Sequence, residues 1–260
     1  MSANTVATAA LLASIAFTPL ANAQMPCAEL FLGGQEPVVT HKPLTEKYMT
    51  LCSGEYAVGH SGLSRTALWS AGVLDKAAMK TKGRLVRSNN FIPDGRIPPG
   101  ERSELSDFAR ERDLQRGHLF AAADAITQGG QDRTFSLGNI LGQNSDCNTG
   151  IWNDIENAAR SEAKRRGRLY SITGPLFQGQ DQRRLKGRVA VPSGIYKCLY
   201  DSARQESGCF IVNNAPGTDY RTVSVEAVEQ TTGLSLFPAA ASGSKKAVME
   251  MPIPKPYRQR

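Results

Sequence analysis

The sequence predicts an α+β fold, with a mixed or antiparallel β-sheet core and flanking helices. Three observations point there. Tyr56, Val58, Ala67, Trp69 and Ala71 alternate as half-buried strands do, and apolar, β-branched runs return at 172–177, 189–191, 195–200 and 210–213. Ile151, Ile155, Ala158, Ala159 and Ala163 make one apolar stripe at helical spacing. The chain has 260 residues, 40% of them hydrophobic, which is enough for a sizeable core.

Residues 1–23 read as an export segment. An uncharged apolar run over 6–20 leads to Ala21-Asn22-Ala23, a small-x-small cleavage site that makes Gln24 the first mature residue. The run is too short for a bilayer span and is broken by Pro19, so no membrane association is expected and the location is secreted or periplasmic. A lead-in over 24–50, a main domain over 51–238 and a tail over 239–260 follow. Cysteine usage suits an oxidising compartment. Cys198 and Cys209 flank a short polar turn and suit a hairpin staple, Cys27 and Cys52 suit a clamp on the N-terminus, and Cys147 suits a small buried apolar position. Spacing leaves the connectivity open.

Taken in order, residues 55–86 suggest short strands around a turn at 59–64, with Trp69 in the core and His60 solvated at the turn. A Pro-, Gly- and Asp-containing loop covers 87–100, a short polar helix is expected within 105–112, and a helical turn over 120–126 ends at Gly129-Gly130. A helix over 148–166 closes on Lys164-Arg165-Arg166 with Gly167 as its cap. A weaker helical pattern covers 223–232, and the Ser-, Gly- and Lys-rich tail is expected to be loosely ordered.

The chemistry concentrates between Arg116 and Glu156. Asn148, Trp152 and Glu156 recur every four residues, spanning about 80° of a regular helix face. An amide oxygen and a carboxylate then share one hydrated cation. Mg²⁺ keeps several waters and needs few protein ligands, so no Cys/His cage is required. His118 has the proton affinity of a general base at neutral pH, and Arg116, two residues earlier, shares its side of an extended segment. Each residue has a plainer reading. A lone histidine is usually structural, Asn148 suits a helix N-cap, Arg87 suits an exposed surface arginine, and Asn139 and Gln143 can satisfy loop backbone.

Order tips the balance. Gln115-Arg116-Gly117-His118, Leu137-Gly138-Asn139-Ile140-Leu141-Gly142-Gln143 and Asn148-Thr149-Gly150-Ile151-Trp152-Asn153-Asp154-Ile155-Glu156 together resemble the DNA/RNA non-specific endonuclease family, whose site is a ββα-metal motif. Tyr56-Ala57-Val58-Gly59, Arg65 to Trp69, Arg87 to Asp94, Ser171 to Phe177 and Val189 to Pro192 extend the resemblance over most of the chain. The resemblance implies His118 as base, Asn148 as metal ligand, Glu156 as the carboxylate holding metal-bound water, and Arg87 and Arg116 as phosphate contacts. It also implies Asn139 as support for the site and Gln143 as a further substrate contact. Three positions depart from the family pattern: Gln115 for Asp, Ala121 for Pro and Gly142 for Pro.

The expectation is a secreted, sugar-non-specific endonuclease that hydrolyses phosphodiester bonds in DNA and RNA with one Mg²⁺, Mn²⁺ substituting. A formal charge of +7 agrees with a polyanionic substrate. The rival reading is a basic module that keeps the nuclease fold but only binds nucleic acid or another polyanion.

Overall fold

The computed structural model describes residues 1, 27–179 and 182–256, so nearly all of the expected export segment lies outside the described residues. The first half of the chain holds β1 (Val38–Val39), β2 (Tyr48–Cys52), β3 (Tyr56–Ser61), β4 (Thr66–Asp75), α1 (Lys76–Thr81), β5 (Leu114–His118) and α2 (Gln128–Arg133). Next come β6 (Ile140–Asn144), α3 (Ser145–Cys147), a widened helical turn (Asn148–Trp152) and α4 (Asn153–Arg166). The second half adds β7 (Arg168–Leu176), β8 (Arg184–Leu185), β9 (Val189–Ala190), β10 (Gly194–Asp201), β11 (Glu206–Asn213) and β12 (Tyr220–Val223). It ends with α5 (Val225–Thr232), β13 (Leu234–Ser235) and α6 (Ser242–Lys246).

Seven strands form one sheet in the order β12-β11-β10-β7-β4-β3-β2, antiparallel at every pairing. Alternation along the strands divides the core in two. Val58, Ile195, Leu199, Phe210 and Val212 face Trp152, Ile155, Ala159 and Ala163 of the helical segment that runs to Arg166. Tyr196, Cys198, Cys209 and Ile211 face Val225 and Val228 of α5 and the N-terminal Leu30 and Phe31. Trp152 is a main anchor of the first layer, and truncating a buried ring of this size to alanine costs about 3–5 kcal/mol.

The cysteine pairs form as the spacing suggested. Cys27 bonds Cys52, Cys198 bonds Cys209 directly across β10 and β11, and Cys147 is free and buried. Trp69 lies in the core, its indole N–H donating to the Tyr48 hydroxyl. No helix among the described residues is long and apolar enough to cross a membrane.

Several local expectations need correction. His60 is not solvated at a turn: β3 runs on to Ser61 through a bulge at Gly59/His60, and the buried ring bonds the Glu101 carbonyl oxygen. Burial holds its pKa below the ordinary histidine value, an effect the Glu101 carbonyl partly opposes. Gly129-Gly130 does not end a helix but lies within α2, which Thr127 caps at its start by accepting from Gly130 N. The Glu55 carboxylate fills the space a side chain at Gly130 would need. The tail is docked: Met249 is buried and its N–H donates to Ser207 O, while Met251 packs against the first core layer.

Candidate active site

A short hairpin and a helix build the site. β5 pairs antiparallel with β6, setting Gln115 opposite Gln143 and His118 opposite Ile140, and the chain turns directly into the helical segment from Ser145 to Arg166. This is the ββα unit the sequence implied. Asn144 caps the segment by accepting from Asp146 N and Cys147 N, so the capping role considered for Asn148 belongs four residues upstream.

The helix is not regular where it matters. Gly150 leaves helical geometry at φ −100°, ψ −112°, inside the widened turn. Single wide turns of this kind re-aim side chains without ending a helix. Trp152 is buried in the core with its side chain reaching Glu156, while Asn148 and Glu156 line a cleft with Arg87, Arg116, His118 and Arg160. The cleft has a volume of about 400 Å³.

His118 sits against aromatic rings. Phe135 meets it edge-on at 4.9 Å between centroids and Phe91 lies at 5.6 Å. Loss of water, then the nearby Arg87 charge, push its pKa down to about 3. The ring is neutral at pH 7, and its Nε2 has no hydrogen-bond partner. Arg87 and Arg116 lie over rings of the same cluster, 5.0 Å from the Phe135 centroid and 4.3 Å from the Phe91 centroid. The 87–100 loop is pinned there by Ile92 N to Phe135 O and Leu137 N to Ile92 O, at 3.2 and 2.8 Å.

Asn139 is fully buried and does not face the cleft. Its Oδ1 accepts from Phe120 N and Ser70 Oγ, and its Nδ2 donates to the Phe120 and Thr134 carbonyls. It fixes the backbone just after His118. Gln143 is buried too, packed over Gly117 with its Nε2 3.9 Å from Cys147 Sγ, and it does not line the cleft. Gly117 is required here because Gln143 occupies the space of a β-carbon.

The Asn148 Nδ2 donates to Gln115 Oε1 at 3.0 Å, which leaves the Asn148 Oδ1 as a ligand atom. Among the described residues no group of three or more His, Cys, Asp or Glu converges as a metal cage. One amide oxygen beside a carboxylate fits a hard divalent ion that retains water.

The helix wall holds charges the sequence reading overlooked. Arg160 Nη1 bonds Asp124 Oδ1 at 2.6 Å, and its Nη2 bonds Asn157 Oδ1. Lys197, only 1% exposed, stands 4.0 Å from Asp124 Oδ2 and donates to Thr173 Oγ1. Burial lifts the Glu156 pKa well above the carboxylate range; Arg160 and Lys197 oppose that rise, and Asp124 adds to it. One signal was available. Lys197 falls on the inward register between Ile195 and Leu199, where a lysine is out of place without a buried partner.

Comparison with known proteins agrees with this architecture. The chain matches the DNA/RNA non-specific endonuclease family over residues 36–242. It is 31% identical to nuclease C1 of Cunninghamella echinulata var. echinulata over 70% of this chain and 80% of that protein. It is 29% identical to mitochondrial endonuclease G of Bos taurus, over 74% of this chain and 71% of that protein. A nuclease of Nostoc sp. is 27% identical over 78% of each. In fold, the chain resembles the crystal structure of an EndoG/EndoGI complex, with a TM-score of 0.68 and 24% identity over 76% of this chain and 89% of that one. With the match spanning the sheet, the hairpin and the helix, the protein belongs to the DNA/RNA non-specific endonuclease family, enzymes that hydrolyse nucleic acid and typically depend on a divalent metal.

Proposed function

We propose that this protein is an exported endonuclease, secreted or periplasmic, that cuts DNA and RNA with one divalent cation and His118 as general base. The observation that carries the reading is the neutral His118, which lines the same cleft as Asn148, Glu156 and three guanidinium groups.

Arg116 and Arg87, with Arg160 from the helix, hold the phosphate by charge, so base identity contributes little. The His118 imidazole takes a proton from water as that oxygen attacks phosphorus, and the bond to the leaving sugar oxygen breaks, that oxygen taking a proton from solvent. Burial and then Arg87 depress the His118 pKa, and a bound phosphate that neutralises Arg87 makes the ring a better base as substrate arrives. Asn148 Oδ1 would hold the metal directly and Glu156 would hold its bound water. The cation, Mg²⁺ with Mn²⁺ as substitute, supplies positive charge that keeps Glu156 ionised and stabilises the charge developing on the phosphate oxygens.

The test is incubation of the purified protein with circular DNA and with RNA. Both should be cut with Mg²⁺, not in excess chelator, and again after Mn²⁺ is added. Full activity in excess chelator contradicts the mechanism.

A further inference from the structure

The cleft has a second lobe that the chemistry does not use. Across Arg87, Arg116 and Asn148 from His118 lies a groove of about 510 Å³, whose other wall includes Phe91, Leu105 and Phe108. The two lobes share Arg87, Arg116 and Asn148, so a strand whose phosphate lies on the guanidinium groups extends from one into the other.

The far wall is rigid. The turn Leu105–Phe108 is closed by a capping box in which Glu104 N donates to Asp107 Oδ2, and fully buried Asp107 is bonded by Arg188 from beneath. Phe108 packs one side on the cluster of Leu114, Leu185, Val189 and Val191. Leu105 is 42% exposed. A lone exposed leucine means little, but this one shares a groove with two phenylalanines beside paired arginines. The polar wall is Gln115, whose Oε1 is taken by Asn148.

We propose that this groove is the subsite for the nucleotide adjoining the scissile phosphate, its base lying on Leu105 and Phe108. The proposal rests on the phosphodiesterase reading and adds a substrate form to it. A base that leaves its stack to enter the groove is unpaired, so single strands are preferred, and an apolar wall accepts any base.

The experiment uses the full chain carrying His118→Ala, with and without the pair Leu105→Ser and Phe108→Leu, the second of which keeps the buried side filled. Two labelled single-stranded hexamers are titrated by fluorescence anisotropy, one normal and one whose sugars carry no bases. The pair should weaken the normal strand by about 10-fold and leave the abasic strand unchanged. With His118 restored, turnover of bis(p-nitrophenyl) phosphate should not change. Equal weakening of both strands, or none of either, overturns the subsite. Should the unaltered protein cleave neither the hexamer nor the small diester while the binding pattern holds, the hydrolytic reading falls and the groove stands.

Discussion

The two walls of the cleft solve opposite problems with opposite means. The hairpin wall surrounds His118 with Phe91 and Phe135 and no acidic partner, so burial strips the ring of its proton and leaves an acceptor. The helix wall buries Glu156 as well, but packs Arg160 and Lys197 around it, so cations oppose the protonation that burial favours. Burial acts alike on both, against charge. What differs is the company: on one wall a cation lowers the proton affinity of the ring further, and on the other two cations limit the rise that burial imposes on the carboxyl.

The largest expected effect falls on the hairpin wall. His118→Ala should slow cleavage by about 10²- to 10⁴-fold with fold and nucleic-acid affinity nearly intact, because affinity comes from the arginines. Circular dichroism and binding titration check this beside the rate. An unchanged rate would place the base elsewhere. Next is Asn139→Ala, which removes four hydrogen bonds that hold the strand end after His118. It should cost about 1–3 kcal/mol of stability in denaturant titration and lower the rate by roughly 10²-fold even where the protein is folded. A stability loss with full rate would show that Asn139 does not position the base.

The helix wall answers to pH. Lys197 lowers the Glu156 pKa, so Lys197→Met should raise it, and the acid limb of the pH–rate profile should move to higher pH. A limb that stays put, or moves down, separates Lys197 from Glu156. The His118→Ala change should not move a limb set by Glu156.

How much of this could be read from the chain differs between the walls. The strands, the long helix and the stretch carrying His118, Asn148 and Glu156 were legible because each rests on local periodicity or an ordered motif. Asp124, Arg160 and Lys197 were not, because Arg160 and Asp124 lie 36 residues apart and Lys197 meets its partners only in the folded sheet, where β10 pairs with β7. The break at Gly150 was invisible for a related reason: counting by fours assumes a regular helix, and the observed torsions depart from one. His60 was misread because a bulge keeps β3 going where the glycine suggested a turn. The docked tail escaped notice because composition does not show which core surface waits for Met249 and Met251.

The smallest expected effect lies where the walls meet. Gln115→Asp restores the family's usual acid beside Asn148 and adds a negative charge near the cation. Activity should be kept or raised, most clearly at limiting Mg²⁺, and a titration with Mn²⁺ should show tighter binding. A folded Asp variant with no cleavage would mean that this site is organised differently from the family's.

The division of labour between the walls is tested most directly by cleavage rate against Mg²⁺ concentration for His118→Ala and Asn148→Ala. Asn148→Ala should lose metal affinity, so its rate should climb with Mg²⁺ and recover in part at high concentration. His118→Ala should saturate at the unaltered protein's Mg²⁺ concentration, at a rate that no excess restores. Rescue of His118→Ala but not of Asn148→Ala would contradict the account and exchange the two roles.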